Sequence, residues 1–488
     1  MKRLSLALAL PALAAVLILP TGCATPVEIP VIAAPDHSVF APATAATNQL
    51  GLELYRQLAA AKPGENLLLS PYSIQSALAM TYAGADGDTR TEMARVLHFP
   101  DDDAQLADAF GALRNALNDA VEKSNHAQAD IIDSYRREAA NVPQEIQDLK
   151  KESTRMPPEY LAQMQREAEQ RARDDVKTAQ ALDPHPTELR VANRLFGQQD
   201  FAFRPTFLDF TRDRYGAPLQ PLDFKTASES ARDTINAWVA DQTKNKITDL
   251  LPSGSVGPGT RLVLVNALYF KAPWQDKFDK KMTEELVFKV RGRQKTEVPT
   301  MYNYEECGYA KVRGYTAVTL PYLGGDLQLL ILLPDADNGV DALAAALTPD
   351  LLRRCAKLNQ DDIRLWLPKF KFEPPTIKLA DELKALGLRQ AFDEPAGSAN
   401  FDRMAPRKPD AYLAVSDVFH KTFFALDEES TEAAAATAVN MMVATAAMPS
   451  GPPPPPPPEV HVDHPFLFAI QHRESGACLF FGRVTDPR

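Results

Sequence analysis

Residues 428–448, EESTEAAAATAVNMMVATAAM, constrain this chain most, because their composition argues for two incompatible structures. An alanine run is a strong local helix former and a poor strand former. With a period of two, however, Thr431, Ala433, Ala435, Thr437, Val439 and Met441 make one uncharged face, while Glu432 and Asn440 fall on the other. A strand that must slide one side into a packed core has that pattern, and small side chains lower the steric barrier. Prolines 452–458 come next, and they can form neither helix nor central strand. A segment able to change state beside a stiff spacer suggests a mechanical device; the plainer alternative is an Ala/Pro linker.

The 488 residues leave room for roughly two to four ordinary domains. Apolar residues make up 45% and charged residues 24%, a balance that suits a globular chain with a sizeable core. A net charge of −11 argues against nucleic acid or an anionic membrane surface as partner.

The chain opens with Lys2 and Arg3 ahead of an apolar stretch from Leu6 to Leu19, and residues 1–22 read as a secretory signal. Leu19-Pro-Thr-Gly-Cys23 resembles the lipobox of bacterial lipoproteins, with Pro20 where that motif usually has an aliphatic residue. Cys23 is then the lipidated residue of an exported protein, held by its lipid at the cell surface or in the periplasm; a plain secreted protein is the alternative. Residues 23–47, rich in Pro, Ala and Thr, read as a flexible tether. Cys307, Cys355 and Cys478 are widely separated, with no CxxC and no metal-ligand spacing, so at most one disulfide could form.

From residue 48 the chain reads as folded. Leu50, Leu54 and Leu58 mark one helix face; Ile74, Leu78 and Tyr82 mark another; Leu106, Phe110, Leu113 and Leu117 mark a third. Asp88 is positioned to cap a helix that carries Met93, Val96 and Leu97. Later runs at 261–270, 315–322, 327–333, 363–367, 413–426, 466–471 and 479–484 are strand-like, with helices around 230–243 and 377–386. Helices first and strands later predict an α+β fold with large, mostly antiparallel sheets. Residues 120–186 stand apart: dense in charge, with few and scattered apolar residues, they read as an insertion that packs only partly, with a solvated helix at 166–177.

Several landmarks, in order, resemble the serpins, a family of serine- and cysteine-protease inhibitors. They are Asn66-Leu-Leu-Leu-Ser-Pro-Tyr-Ser-Ile74, Leu264-Val-Asn-Ala-Leu-Tyr-Phe-Lys-Ala-Pro-Trp274, Val418-Phe-His-Lys421, the hinge-like run from Asp427 to Ala438, and Phe480-Phe-Gly-Arg-Val484. The resemblance covers 48–488 apart from the insertion, as one domain. It implies three β-sheets, surrounding helices and an exposed reactive loop at 428–459. A protease cuts the loop and forms an acyl-enzyme. The cut loop then inserts into the main sheet and traps it, a behaviour already familiar for this class. No enzyme activity and no cofactor are implied, and a monomer is expected.

The hinge of that device maps to Glu428, Glu429, Ser430, Thr431, Glu432, Ala433, Ala434, Ala435 and Ala436. Ser430 stands where many inhibitory members have Gly. Ser70, Ser73, Asn266 and His420 correspond to the polar cluster under the main sheet where the family's sheet opens, and Trp274 to its upper end. Family spacing puts the cut bond at Ala444–Thr445, with Met442, Val443 and Met448 as rivals because the proline run lengthens the segment beyond the bond. Every candidate is small or apolar, which points to elastase-, subtilisin- or chymotrypsin-like partners rather than a protease with a carboxylate in its pocket. A non-inhibitory carrier is the alternative. No G-x-S-x-G or H-E-x-x-H motif supports an enzyme, and His461 and His464, three apart on an expected strand, would point to opposite faces rather than share a metal.

Overall fold

Helices lead and strands follow, as the change of periodicity along the chain predicts. The computed structural model describes residues 38–152, 157–182, 186–290, 294–408, 412–431 and 456–488. Helix Pro71–Gly84 shows how the opening third is built. Pro71 begins it, where a missing N–H costs nothing, and the Ser70 hydroxyl accepts from Ser73 N at 3.2 Å. Ile74, Leu78 and Tyr82 are buried, and so is nearly every other side chain of this helix, because it runs beneath a sheet.

That sheet has six strands in the order Phe370–Phe372, Phe424–Leu426, Ser430–Thr431, Leu262–Pro273, Glu188–Gln198 and Leu219–Leu222. All neighbours are antiparallel except the last pair. The other two expected sheets are joined into one of nine strands. Strand Lys295–Val312, 18 residues long, pairs early with Glu284–Lys289 and late with Tyr315–Pro321, and so belongs to both. Its other partner, Gln360–Pro368, carries the edge strand Glu459–His461 in parallel. The six- and nine-stranded sheets meet through aromatic rings: Phe424 lies 4.9 Å from Phe468 and 6.3 Å from Phe480, and Phe370 lies 5.2 Å from Phe468. Each such burial stabilises by roughly 1.5–3 kcal/mol.

Three expectations need correction. The tether ends earlier than residue 47: helix Ala41–Ala61 buries Ala43, Ala46 and Thr47, small residues that let the helix lie close to the core. The strand expected over 413–426 is reduced to Phe419–His420 and Phe424–Leu426. Residues 413–418 line a cavity of about 390 Å³, with Leu262, Val263 and Leu264 on its wall, and among the described residues no ladder joins them to that neighbour. The insertion has a regular seam that a count of its apolar residues does not show. Gln128, Ile132, Tyr135, Ala139, Val142, Ile146 and Leu149 recur at alternating steps of four and three, as do Leu161, Gln165, Ala168, Ala172, Asp175 and Ala179.

Those steps are the seam of a coiled coil. Helix Asp103–Glu152 is about 75 Å long, and its part beyond residue 125 runs out of the core, while Pro158–Leu182 returns along it. Glu145 and Arg171 bridge the two at 2.6 Å. At the base, Ser124 Oγ lies 2.6 Å from Thr187 Oγ1, and Asn125 brackets the Thr187 main chain at 2.8 and 3.2 Å. Lys123 pairs with Asp326 at 2.7 Å. Gly324, at φ +92°, is required there: a Cβ on it would lie 2.9 Å from Ser124 Cα.

Candidate functional site

Strand Phe424–Leu426 ends at Asp427, and the chain reverses within four residues. Asp427 N donates to the Ser430 carbonyl at 3.0 Å, while Asp427 Oδ1 accepts from Glu429 N at 3.0 Å and Ser430 N at 3.1 Å. A short carboxylate can reach N–H groups two and three residues on, which is why Asp suits this position. The reversal sends Ser430–Thr431 back between the central strands: Thr431 pairs with Leu426 and with Ala272, and Ser430 with Pro273. The loop is expected to be exposed from Glu428 onward. Instead Glu428, Glu429 and Ser430 are 4%, 6% and 5% exposed, because main-chain pairing on both edges and nearby cations make burial favourable.

The stretch after strand Leu262–Pro273 clasps this turn. Trp274 donates from its backbone N to the Glu429 carbonyl at 3.1 Å and from Nε1 to the Asp427 carbonyl at 2.8 Å. Its ring stacks on Tyr322 at 4.6 Å and meets Phe278 edge-on at 6.1 Å. Phe278 N donates to the Glu428 carbonyl at 3.0 Å. The Glu428 carboxylate accepts from Thr283 Oγ1 and from Lys369 Nζ, both at 2.8 Å. Burial pushes the Glu428 carboxyl up, but Lys369, its own backbone N–H and Thr283 together hold it below the usual range. Lys280 Nζ lies 2.8 Å from Glu429 Oε1. Burial raises the Asp427 carboxyl against the pull of its two N–H donors.

At the lower end of the same sheet, three of the four expected cluster residues touch or adjoin one another. Ser70 N donates to His420 Nε2 at 3.0 Å, Ser70 Oγ donates to the Leu479 carbonyl at 2.6 Å, and Ser73 N returns to Ser70 Oγ. Asn266 pairs through its main chain with Asn193. Complete burial lowers the His420 imidazole to about 4. A protonated ring would set an N–H against the Ser70 N–H.

The remaining expected positions are quickly placed. Cys23, Glu432, Ala433, Ala434, Ala435, Ala436, Met442, Val443, Ala444, Thr445 and Met448 lie outside the described residues. Cys307, Cys355 and Cys478 are buried free thiols. His461 stacks on Trp366 at 4.0 Å at the surface. His464 falls beyond the strand, where Nε2 meets the Pro334 carbonyl at 2.7 Å, so the two rings do not converge. Among the described residues no His, Cys, Asp and Glu cluster could hold a metal, and no helix is long and apolar enough to cross a membrane. Lys280, Thr283, Tyr322 and Lys369 belong to the hinge seat and escape the sequence reading, which has Asp427 only as the first residue of the hinge-like run. The acidic run at 427–429 is the one available signal, since buried carboxylates require partners.

Comparison with known proteins agrees with this geometry. The family model described as Serpin (serine protease inhibitor) matches residues 45–135 and 147–487. Plasminogen activator inhibitor 2 from Homo sapiens is 33% identical over 454 residues, covering 91% of this chain and 99% of that protein. Leukocyte elastase inhibitor from Bos taurus is 33% identical over 453 residues, with the same coverage. The solved structure "Cleaved Serpin 42Da" superposes with a TM-score of 0.68 at 25% identity, over 92% of this chain and 100% of that one. The chain belongs to the serpin family.

His420 generates a pH prediction. Its folded value of about 4 lies below the ordinary 6.5, so the unfolded chain binds the proton first as pH falls. The stability it supports is intact above pH 6.5 and is lost between about pH 6.5 and 4, by about 3 kcal/mol. Urea unfolding at pH 7 and pH 4.5 should show His420→Gln losing less stability on acidification than the parent.

Proposed function

We propose that this chain is a suicide-type inhibitor of serine endopeptidases, with cysteine endopeptidases as a lesser possibility. The loop is cut at Ala444–Thr445, and the strand already begun at Ser430–Thr431 then grows through the sheet and traps the acyl-enzyme. The observation that carries this reading is the two-residue strand itself. It lies between two central strands that, among the described residues, have no other partner on those edges. Below it, the cavity of about 390 Å³ lies between 413–419, the stretch leading into one of these strands, and the start of the other at 262–264.

Extending the strand from Ser430 to Met441 would form about a dozen further hydrogen bonds at roughly 0.5–1.5 kcal/mol each. The sum is of order 10 kcal/mol, comparable with the whole stability of a domain. Thr431, Ala433, Ala435 and Thr437 carry no charge, so no desolvation penalty of several kcal/mol opposes the growth. The small or apolar residues around the bond favour elastase-, subtilisin- or chymotrypsin-like targets, in keeping with relatives named for elastase. Export with a lipid on Cys23 would keep the inhibitor at a membrane surface as a monomer.

The full chain should give a denaturant-resistant covalent complex with at least one such protease, seen as a band shift on a denaturing gel, and cleavage without complex across the panel would contradict the proposal. In the same assay Thr431→Arg should raise the cut-to-complex ratio at least tenfold, because a guanidinium would be driven into the core. Mass spectrometry of the mature N-terminus checks the anchor: diacylglyceryl-modified Cys23 is expected, and an unmodified thiol would exclude it.

A further inference from the structure

Of the contacts that hold the turn at 427–430, five come from the ten residues Trp274 to Thr283. Three are bonds to main-chain carbonyls: Trp274 N, Trp274 Nε1 and Phe278 N reach Glu429, Asp427 and Glu428 at 3.1, 2.8 and 3.0 Å. The fourth and fifth are side-chain pairs, Thr283 to Glu428 and Lys280 to Glu429, each at 2.8 Å. Main-chain bonds tolerate most sequences. The carboxylates do not, because a buried charge left without a partner costs several kcal/mol.

The three acidic residues satisfy that demand in different ways. Asp427 is answered by N–H groups of its own turn. Glu428 has two donors on separate elements, Thr283 and Lys369. Glu429 has only the nearby charge of Lys280, 2.8 Å from Oε1 but not aligned as a hydrogen bond, and that lysine side chain keeps 39% of its surface in water against 7% for the glutamate. Lys277 is the other cation near Glu429, and burial lowers its ammonium. Lys280 is therefore a contact that can be removed without disturbing the backbone or the core.

We propose that Lys280 is a positioning residue for the hinge: its pair with Glu429 keeps the turn folded back into the sheet, with Ser430–Thr431 already inserted. Without it, Glu429 draws the hinge out toward water. The loop is then reached faster by a protease and its insertion starts from a less advanced state. The consequences for inhibition rest on the inhibitory reading above; the position of the hinge does not.

Amide hydrogen exchange on the full chain separates the two. In Lys280→Met, the Ser430 and Trp274 amides should exchange at least tenfold faster than in the parent, while strand Phe466–His472 keeps its protection. Glu429→Gln, which keeps the shape, should move the same way. Lys280→Arg should restore protection. So should Lys280→Met with Glu429→Met, since an apolar pair can replace a buried ion pair. Unchanged exchange at Ser430 and Trp274 in both Lys280→Met and Glu429→Gln would overturn the proposal, and so would failure of Lys280→Arg to rescue. With a protease that forms the covalent complex, Lys280→Met should raise the association rate and the number of inhibitor molecules used per complex, each at least threefold. If the parent forms no complex with any protease while the exchange pattern appears as stated, the inhibitory reading falls and the hinge assignment stands.

Discussion

Main-chain polar groups inside a folded protein must be paired, and the centre of the six-stranded sheet meets that demand only in part. Strand Leu262–Pro273 is laddered to Glu188–Gln198 on one side from Leu262 to Lys271. On the other, among the described residues, it finds Ser430 and Thr431 alone. Strand Phe424–Leu426 is in the same position, with Phe370–Phe372 on one edge and Thr431 on the other. A sheet left this way can gain stability by taking up more strand, and the hinge is where that strand begins.

The upper end of the sheet is accordingly built from groups that hold without sealing. Trp274 is rigid, stacked on Tyr322 and bonded to two hinge carbonyls. Around it, the buried Glu428 and Glu429 are held by lysine and threonine side chains rather than by main-chain ladders. The coiled-coil arm reaches the same region from outside: its base pairs Lys123 with Asp326 in the turn that begins at Tyr322. At the lower end, His420 stays neutral and accepts from Ser70. Strong apolar packing between the sheets thus coexists with weak, replaceable polar contacts along one seam.

Much of this was legible in the sequence. The period-two face of 431–441 predicts a strand-forming segment, and the serine, histidine and tryptophan landmarks fall at the two ends of the seam. Burial of the hinge root was not legible, because the partners of Glu428 and Glu429 lie between 59 and 149 residues away in the chain, at Lys369 and Lys280. Single-residue reading cannot join such distant charges. The insertion was misread for a different reason. Its seam alternates apolar with alanine, glutamine, tyrosine and aspartate, so a count of apolar residues conceals a heptad that spacing reveals. The strand at 413–418 failed to form because a strand needs a neighbour as well as a pattern, and the structure puts a cavity there.

The central claim is that the intact sheet is short of strand and that cutting the loop supplies it. Thermal unfolding of the full chain, intact and after a single cut between residues 440 and 450, tests this most directly. Insertion worth of order 10 kcal/mol should raise the midpoint by roughly 10 °C or more. A midpoint that stays the same or falls after the cut would contradict the account.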